Sequence, residues 1–260
     1  MMRGLWTAAT GMSCQQTNID VIANNLANVN TNGFKKSRIN FQDLMYQNLR
    51  MAGASTSSGG QIPTGIQVGM GAKVVSVEKI FQQGDFSGTQ NELDMAIQGK
   101  GFFKLLSNSN EVYTRSGAFK MDKDGYICDS NGNRLQPEFP IPAKTVSITI
   151  DSGGKLVASG SDSKELGSVQ IQLFEFPNPA GMRSIGQSLF QVSDASGDPV
   201  QGNPGVDEFG TLLQGYLEIS NVDIVEEMIN MIMAQRAYEI GTKVIQTGDS
   251  MLEMANNMKR

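Results

Sequence analysis

Apolar residues recur at sevens at both ends of the chain, and this spacing constrains the fold more than any other feature. Leu5, Met12, Ile19 and Leu26 form one row, and Ala8, Gln15, Ile22 and Val29 interleave as a second. Two such rows make a heptad seam, here with one polar layer at Gln15, over roughly 25 residues. At ~1.5 Å per residue that helix is ~37 Å long. The Asn/Gly cluster Val29-Asn30-Thr31-Asn32-Gly33 is suited to end it. Toward the other terminus Ile224, Met231, Tyr238, Ile245 and Leu252 repeat the theme, with Met228, Gln235 and Thr242 continuing the seam. Ser220-Asn221 reads as an N-cap, and Asp223, Glu226 and Glu227 put negative charge in the first turns, where the helix dipole favours it. Lys259 and Arg260 close the far end with the matching sign. The expected helix, 222–257, is ~54 Å long, much longer than the ~11–12 residues of an average globular helix.

A row of small residues lies beside the apolar one: Ala234, Gly241, Gly248 and Ala255, again at sevens. Each mid-helix glycine costs about 1 kcal/mol relative to alanine. Their alignment therefore predicts that a neighbouring backbone passes there, with chance spacing as the alternative. Gln15 and Gln235 are either a register-setting polar layer or edge positions that meet water. Asp249 falls on the extrapolated seam, where unpaired burial is expensive, so the seam is expected to drift off it. The asparagines Asn24, Asn25, Asn28, Asn30 and Asn32 are either a solvated helix end or an adaptable hydrogen-bonding surface between copies.

Between the ends the pattern changes to glycine turns and short alternating stretches. Strands are expected at 72–80, 101–106, 111–114, 117–121, 125–128, 145–150, 155–158, 168–175 and 189–193. Asp122-Lys123-Asp124-Gly125 and Ser130-Asn131-Gly132-Asn133 join some of them as hairpins. Residues 51–65 read as a loop or extended arm. The fold class is α+β: long N- and C-terminal coiled-coil helices flanking an all-β antiparallel middle domain. Three regions follow: 1–33 with 221–260 as a terminal-helix domain, 34–94 with 206–220 as an extended connecting region, and 95–205 as a β-rich domain. Neither terminal helix has a core of its own to cover. Pairing them buries one stripe and leaves their backs to find partners, so the physical reading is an assembly protein whose ends pack on other copies.

Composition narrows function further. Among 260 residues there is no histidine, which removes Ser-His-Asp and Cys-His nucleophile systems, His-bearing zinc sites and imidazole acid/base chemistry. Cys14 and Cys128 are too few for a disulfide framework or a four-thiolate metal site, and a bridge between them is not expected. A net charge of −5 with no basic run of five gives nucleic-acid binding no support. No apolar stretch approaches the roughly 20 residues that span a bilayer. Met1-Met2-Arg3-Gly4-Leu5-Trp6 lacks the apolar block of a secretory signal, so the protein stays inside the cell or leaves by a route that reads none. A calcium reading of Asp122-Lys123-Asp124-Gly125 fails because its glycine comes at the fourth position rather than the sixth. Gly99-Lys100-Gly101 is too little for a phosphate loop. A carbohydrate-binding or hydrolytic β-domain with helical tails is the rival class. A hydrolase needs two carboxylates about 5–10 Å apart, and the middle offers Asp94, Glu111, Asp122, Asp124 and Asp129. The only tryptophan, Trp6, lies in the terminal helix, which leaves no indole platform for a sugar. No catalytic residue, cofactor or metal ligand is expected.

The terminal segments also carry a resemblance. Val21-Ile22-Ala23-Asn24-Asn25-Leu26-Ala27-Asn28-Val29-Asn30-Thr31-Asn32-Gly33-Phe34-Lys35 resembles the N-terminal signature of bacterial flagellar rod and hook proteins. Gly215-Tyr216-Leu217-Glu218-Ile219-Ser220-Asn221-Val222-Asp223, Glu226-Glu227-Met228-Ile229 and Gln235-Arg236-Ala237-Tyr238-Glu239 are similar to that family's C-terminal region. Gln98-Gly99-Lys100-Gly101-Phe102-Phe103, Tyr113-Thr114-Arg115-Ser116-Gly117-Ala118-Phe119 and the long stretch after Leu44-Met45-Tyr46-Gln47 resemble the distal-rod branch, with proximal rod and hook subunits as alternatives. Gly241-Thr242-Lys243 departs from the family's Asn-Ser-Lys, which makes this helix locally more flexible than its relatives.

The resemblance implies a structural, self-assembling subunit of a hollow rod that carries motor torque across the periplasm and outer membrane. Its implied partners are other copies, proximal rod proteins, the hook protein, peptidoglycan and outer-membrane ring proteins, and the flagellar type III export apparatus. Terminal helices would form the inner tube, the β-domain would lie outside, and 46–65 would be either a surface loop or an extension along neighbouring subunits. The expected assembly interface comprises Leu5, Met12, Ile19, Ile22, Leu26, Asn24, Asn25, Asn28, Ile224, Met228, Met231, Gln235, Tyr238, Ile245 and Leu252.

Overall fold

The computed structural model describes residues 2–51, 63–107, 110–161 and 164–258. It has an N-terminal helix, a largely antiparallel β middle and a C-terminal helix, and its packing divides into two units. One unit comprises 1–26, 37–78 and 224–260; the other comprises 27–36 and 79–223. Residues 34–94 are therefore shared between the two.

In the first unit, helix α1 spans Met2–Ala27 and helix α2 spans Ile224–Asn257. α1 ends at the Asn/Gly cluster, where Thr31 N–H donates to the Asn28 carbonyl (3.1 Å) and Val29 already lies outside the helix. The contact between the helices uses the small row of α2. A side chain on Gly248 would start 2.6 Å from Leu5 Cδ2, and one on Gly241 would start 2.6 Å from Met12 Cγ. Low residues of α1 thus meet high residues of α2, and the pairing steps by seven on both helices. The glycines admit the Leu5 and Met12 side chains of α1 rather than a bare backbone. Two strand pairs complete the unit, Ser37–Asp43 with Ala72–Lys79 and Tyr46–Arg50 with Ile66–Gly69. The second pair flanks the segment read as a loop or arm, of which 52–62 lie outside the described residues. So do Lys259 and Arg260.

The second unit is built on a seven-stranded antiparallel sheet. Its spatial order is Arg183–Gly186, Leu189–Gln191, Asn110–Thr114, Phe103–Ser107, Arg134–Leu135, Ile127–Asp129 and Phe119–Met121. Strand alternation splits the core between its two faces. Phe103, Val112, Leu173 and Leu189 enter one buried cluster, while their chain neighbours Phe102, Tyr113, Phe174 and Phe190 enter another. The second cluster is aromatic, with rings packed edge to face at centroid distances of 4.9 to 6.1 Å. Both expected hairpins are present, turning at Gly125 and Gly132 with φ of 83° at each.

Two expectations need correction. The stretch 168–175 is not one strand. Glu165–Gln170 joins a three-stranded sheet with Lys155–Ser159, and Leu173–Glu175 pairs with Val200–Gly202. The break falls at Ile171, whose N–H bonds the Gly154 carbonyl (2.8 Å) while its side chain is buried. The β unit also extends beyond 95–205, because its first strands pair with its last: Met95–Gln98 with Thr211–Gln214, and Phe86–Gly88 with Tyr216–Glu218.

Candidate functional site: a buried ionic node and the helix faces

Three charged side chains meet in the interior of the second unit. Glu218, at the end of the strand Tyr216–Glu218, accepts from Lys35 Nζ on Oε1 (2.5 Å) and from Arg115 Nε on Oε2 (2.6 Å). Lys35 and Glu218 are each 1% exposed and Arg115 is 5% exposed. Backbone carbonyls accept further bonds from both cations. Lys35 Nζ also donates to the Gln82 carbonyl (2.8 Å), and Arg115 to the carbonyls of Ile97, Gly99 and Gly101 (3.1, 2.5 and 2.5 Å). Gly84 N–H gives Glu218 Oε1 a further bond (3.0 Å). Buried charges persist only with this degree of satisfaction.

Glycines let the backbones approach the node. Gly33, at φ 68°, donates its N–H to the Glu218 carbonyl (2.8 Å), and a Cβ there would lie 2.6 Å from Ser116 N. A Cβ on Gly117 would lie 1.5 Å from the Met95 carbonyl oxygen. Burial alone would raise the Glu218 carboxyl, but the charges and hydrogen bonds of Arg115 and Lys35 outweigh it and hold the group below its ordinary value. Burial lowers the Lys35 ammonium despite its bond to Glu218, and nearby Arg115 adds to that. One carboxylate serves two cations, so its ionised form is the one the site favours, and Lys35 is the weaker member.

Two asparagines make further buried or half-buried polar contacts, Asn25 in the first unit and Asn221 in the second. Asn25, 1% exposed, donates to the Ser37 carbonyl (2.9 Å) and to Glu227 Oε2 (3.2 Å), and accepts from Ser37 N–H (2.8 Å). Asn221 does not cap α2, which starts at Ile224. Its amide accepts from Lys36 N–H (2.7 Å) and donates to the carbonyls of Ile80 and Gln82 (2.9 and 3.1 Å), holding three backbone segments instead.

Comparison with known families places these features. The flagella basal body rod protein model matches residues 5–35, the flagellar hook protein FlgE/F/G D1 domain matches 96–158, and the flagellar basal body rod FlgEFG protein C-terminal model matches 213–258. The flagellar basal-body rod protein FlgG of Borreliella burgdorferi is 47% identical over 266 residues, covering both chains fully. Its namesake in Caulobacter vibrioides is 46% identical over 261 residues, covering 99% of this chain and all of the relative. In Bacillus subtilis the namesake is 36% identical over 265 residues, again covering both chains. The chain belongs to the flagellar basal-body rod protein family. In this rod protein the ionic node draws one residue from each matched segment: Lys35, Arg115 and Glu218.

The expected interface residues of the rod protein occupy varied environments. Ile22 and Asn25 are buried, while Leu5, Met12, Ile19, Leu26, Asn28, Met231 and Ile245 are partly covered. Asn24, Ile224, Met228, Gln235, Tyr238 and Leu252 are exposed. Gln15 and Gln235 form no shared buried layer: Gln15 accepts from Asn18 (3.5 Å), and Gln235 faces outward. Asp249 is exposed. Four of the five carboxylates open to a hydrolytic reading have structural work. Asp94 accepts from Thr89 and Asn91 (2.7 and 2.9 Å), Glu111 pairs with Lys104 (2.5 Å), and Asp122 and Asp129 each accept a neighbouring backbone N–H in a turn. Cys14 and Cys128 are free and buried. Among the described residues no helix is long and apolar enough to cross a membrane.

Proposed function

We propose that this rod protein is the distal-rod subunit, polymerising helically into a hollow shaft that passes motor torque to the hook. In this reading α1 and α2 form a coiled-coil inner tube and the β unit lies outside. The observation that carries it is the outward face of α2. Val225, Met228, Ile229, Ile232, Met233, Ile240, Val244, Met251 and Met254 are all exposed along one 34-residue helix, while Ala234 and Gly248 of its small row are buried within the chain. A face of that length and polarity marks an interaction surface, and a second copy supplies the matching helices. Proximal rod proteins, the hook protein and the surrounding ring proteins are the further partners, in a rod that crosses the periplasm and outer membrane. The subunit leaves the cell through the flagellar type III export apparatus.

Electron microscopy of concentrated full-length protein tests the assembly directly. Helical tubes are the expected outcome, and a persistent compact monomer overturns the reading. The dilute monomer gives a second check. A two-helix layer whose outward apolar face has no covering copy is marginal in water, so limited proteolysis should trim both termini to a stable core near 35–220. Full protection of both ends in a monodisperse monomer contradicts that expectation.

A further inference from the structure

We propose that the contact between Asn25 and Glu227 sets the register of α1 against α2, choosing one alignment among several that their packing allows. The packing row is repetitive. Leu5 sits on Gly248 and Met12 on Gly241, and the small row continues at the same spacing to Ala234 and Ala255. Sliding α2 by one heptad, ~10.5 Å along its axis, puts Leu5 on Ala255 and Met12 on Gly248. Sliding it the other way puts Leu5 on Gly241 and Met12 on Ala234. Both slips land Leu5 and Met12 on small residues, so the fit of these two side chains does not discriminate among the alignments.

The polar contact does. Asn25 and Glu227 are 1% and 5% exposed, and Asn25 Nδ2 reaches Glu227 Oε2 at 3.2 Å. Ser37 holds the same amide on both of its ends, at 2.9 and 2.8 Å, which fixes where its remaining donor points. One slip brings Ile19 opposite Glu227. The other removes Glu227 from beneath α1 and puts Ala234 in its place. Either way a buried amide or carboxylate loses its partner, which costs more than a solvated bond is worth. A lone buried polar contact selecting among equivalent apolar alignments is a known means of fixing register in helix pairs. The inference concerns the single chain and holds whatever the chain assembles into.

The competing determinant is the chain itself, since both helices are tethered at the Asn25–Glu227 end. Cysteine pairs separate the two. Leu5→Cys with Gly248→Cys reports the native alignment, and Leu5→Cys with Ala255→Cys or Gly241→Cys reports the slipped ones. Each pair is made in the full-length parent, in Asn25→Leu and in Glu227→Gln, at a concentration where circular dichroism shows the helices formed. After mild oxidation, intrachain cross-links are mapped by mass spectrometry of the monomer band. The parent should cross-link through position 248 in large excess. In Asn25→Leu the native-to-slipped ratio should fall about ten- to a hundredfold, as expected for a hydrogen bond to a charged group, with the helical signal retained. Glu227→Gln keeps an acceptor for Asn25 but not its charge, so its ratio should fall between those of the parent and Asn25→Leu; a ratio as low as that of Asn25→Leu overturns the proposal. A parent without excess at 248, or an unchanged ratio in Asn25→Leu, assigns register elsewhere and overturns the proposal. So does a uniform loss of all three cross-links together with helicity.

Discussion

Replacing Glu218 by glutamine should cost the full-length protein ~3–5 kcal/mol at neutral pH, because it strands two buried cations. Across a unit of this size that lowers the melting temperature by roughly 10–15 °C. The reason is an asymmetry. An intact buried ion pair adds little net stability, since desolvation offsets attraction, but removing one member leaves the others uncompensated. Here the lost member faces Lys35 at 2.5 Å and Arg115 at 2.6 Å, both nearly fully buried. The effect carries a pH signature. The folded-state value of Glu218 lies below the ordinary 4.5, so its contribution is complete above that pH and is lost as pH falls through the lowered value. Protonated glutamate and glutamine then resemble one another. Urea midpoints of parent and variant should therefore differ most near pH 7 and converge in acid. A gap that stays constant from neutral pH down to about pH 3 would assign the loss to packing rather than charge.

Gly117→Ala should be about as damaging, by a different cause. The added methyl would start 1.5 Å from the Met95 carbonyl oxygen and 2.6 Å from its carbonyl carbon. No rotamer relieves a backbone collision, so the loop after Arg115 must part from Met95–Gln98, which is buried in the core. Overpacking of this severity costs ~3–5 kcal/mol, above the usual range for single substitutions. Gly132→Ala is the control. Its φ is 83°, but nothing lies within 4 Å of the new Cβ, so only the backbone penalty of about 1–2 kcal/mol applies. Denaturant titration of the two variants checks the ranking. Destabilisation by Gly117→Ala no greater than that by Gly132→Ala would mean that the approach of Met95 does not govern position 117.

The helical ends were largely open to sequence reasoning, because heptad spacing is a local signal that does not depend on the rest of the fold. The expected 222–257 became 224–257, and the small row at sevens marked where α1 packs, although side chains of α1 and not its backbone fill the space. Ser220-Asn221 misled because its composition suits a cap equally well as a clamp. Only the folded chain shows Lys36, Ile80 and Gln82 competing for the Asn221 amide. Strands such as Met95–Gln98 escaped because three of four residues are buried, which erases the alternation a half-exposed strand displays. The ionic node had no periodic signature, since Lys35 and Glu218 are 183 residues apart. The available hint was its neighbours: Gly33, Gly99, Gly101 and Gly117 cluster around two of its charges within the segments that carry the family resemblance.

That separation has a consequence for the order of folding. Lys35 and Arg115 acquire their carboxylate only when the chain brings in a residue 183 and 103 positions further on. Closing such long loops is slow and entropically costly. Until it happens, both cations are better off in water than in a half-formed interior. A chain passing lengthwise through a narrow conduit, as proposed for this subunit, would therefore stay threadable until nearly all of it had emerged. In that reading, late ionic closure would leave the node open until Glu218 had emerged.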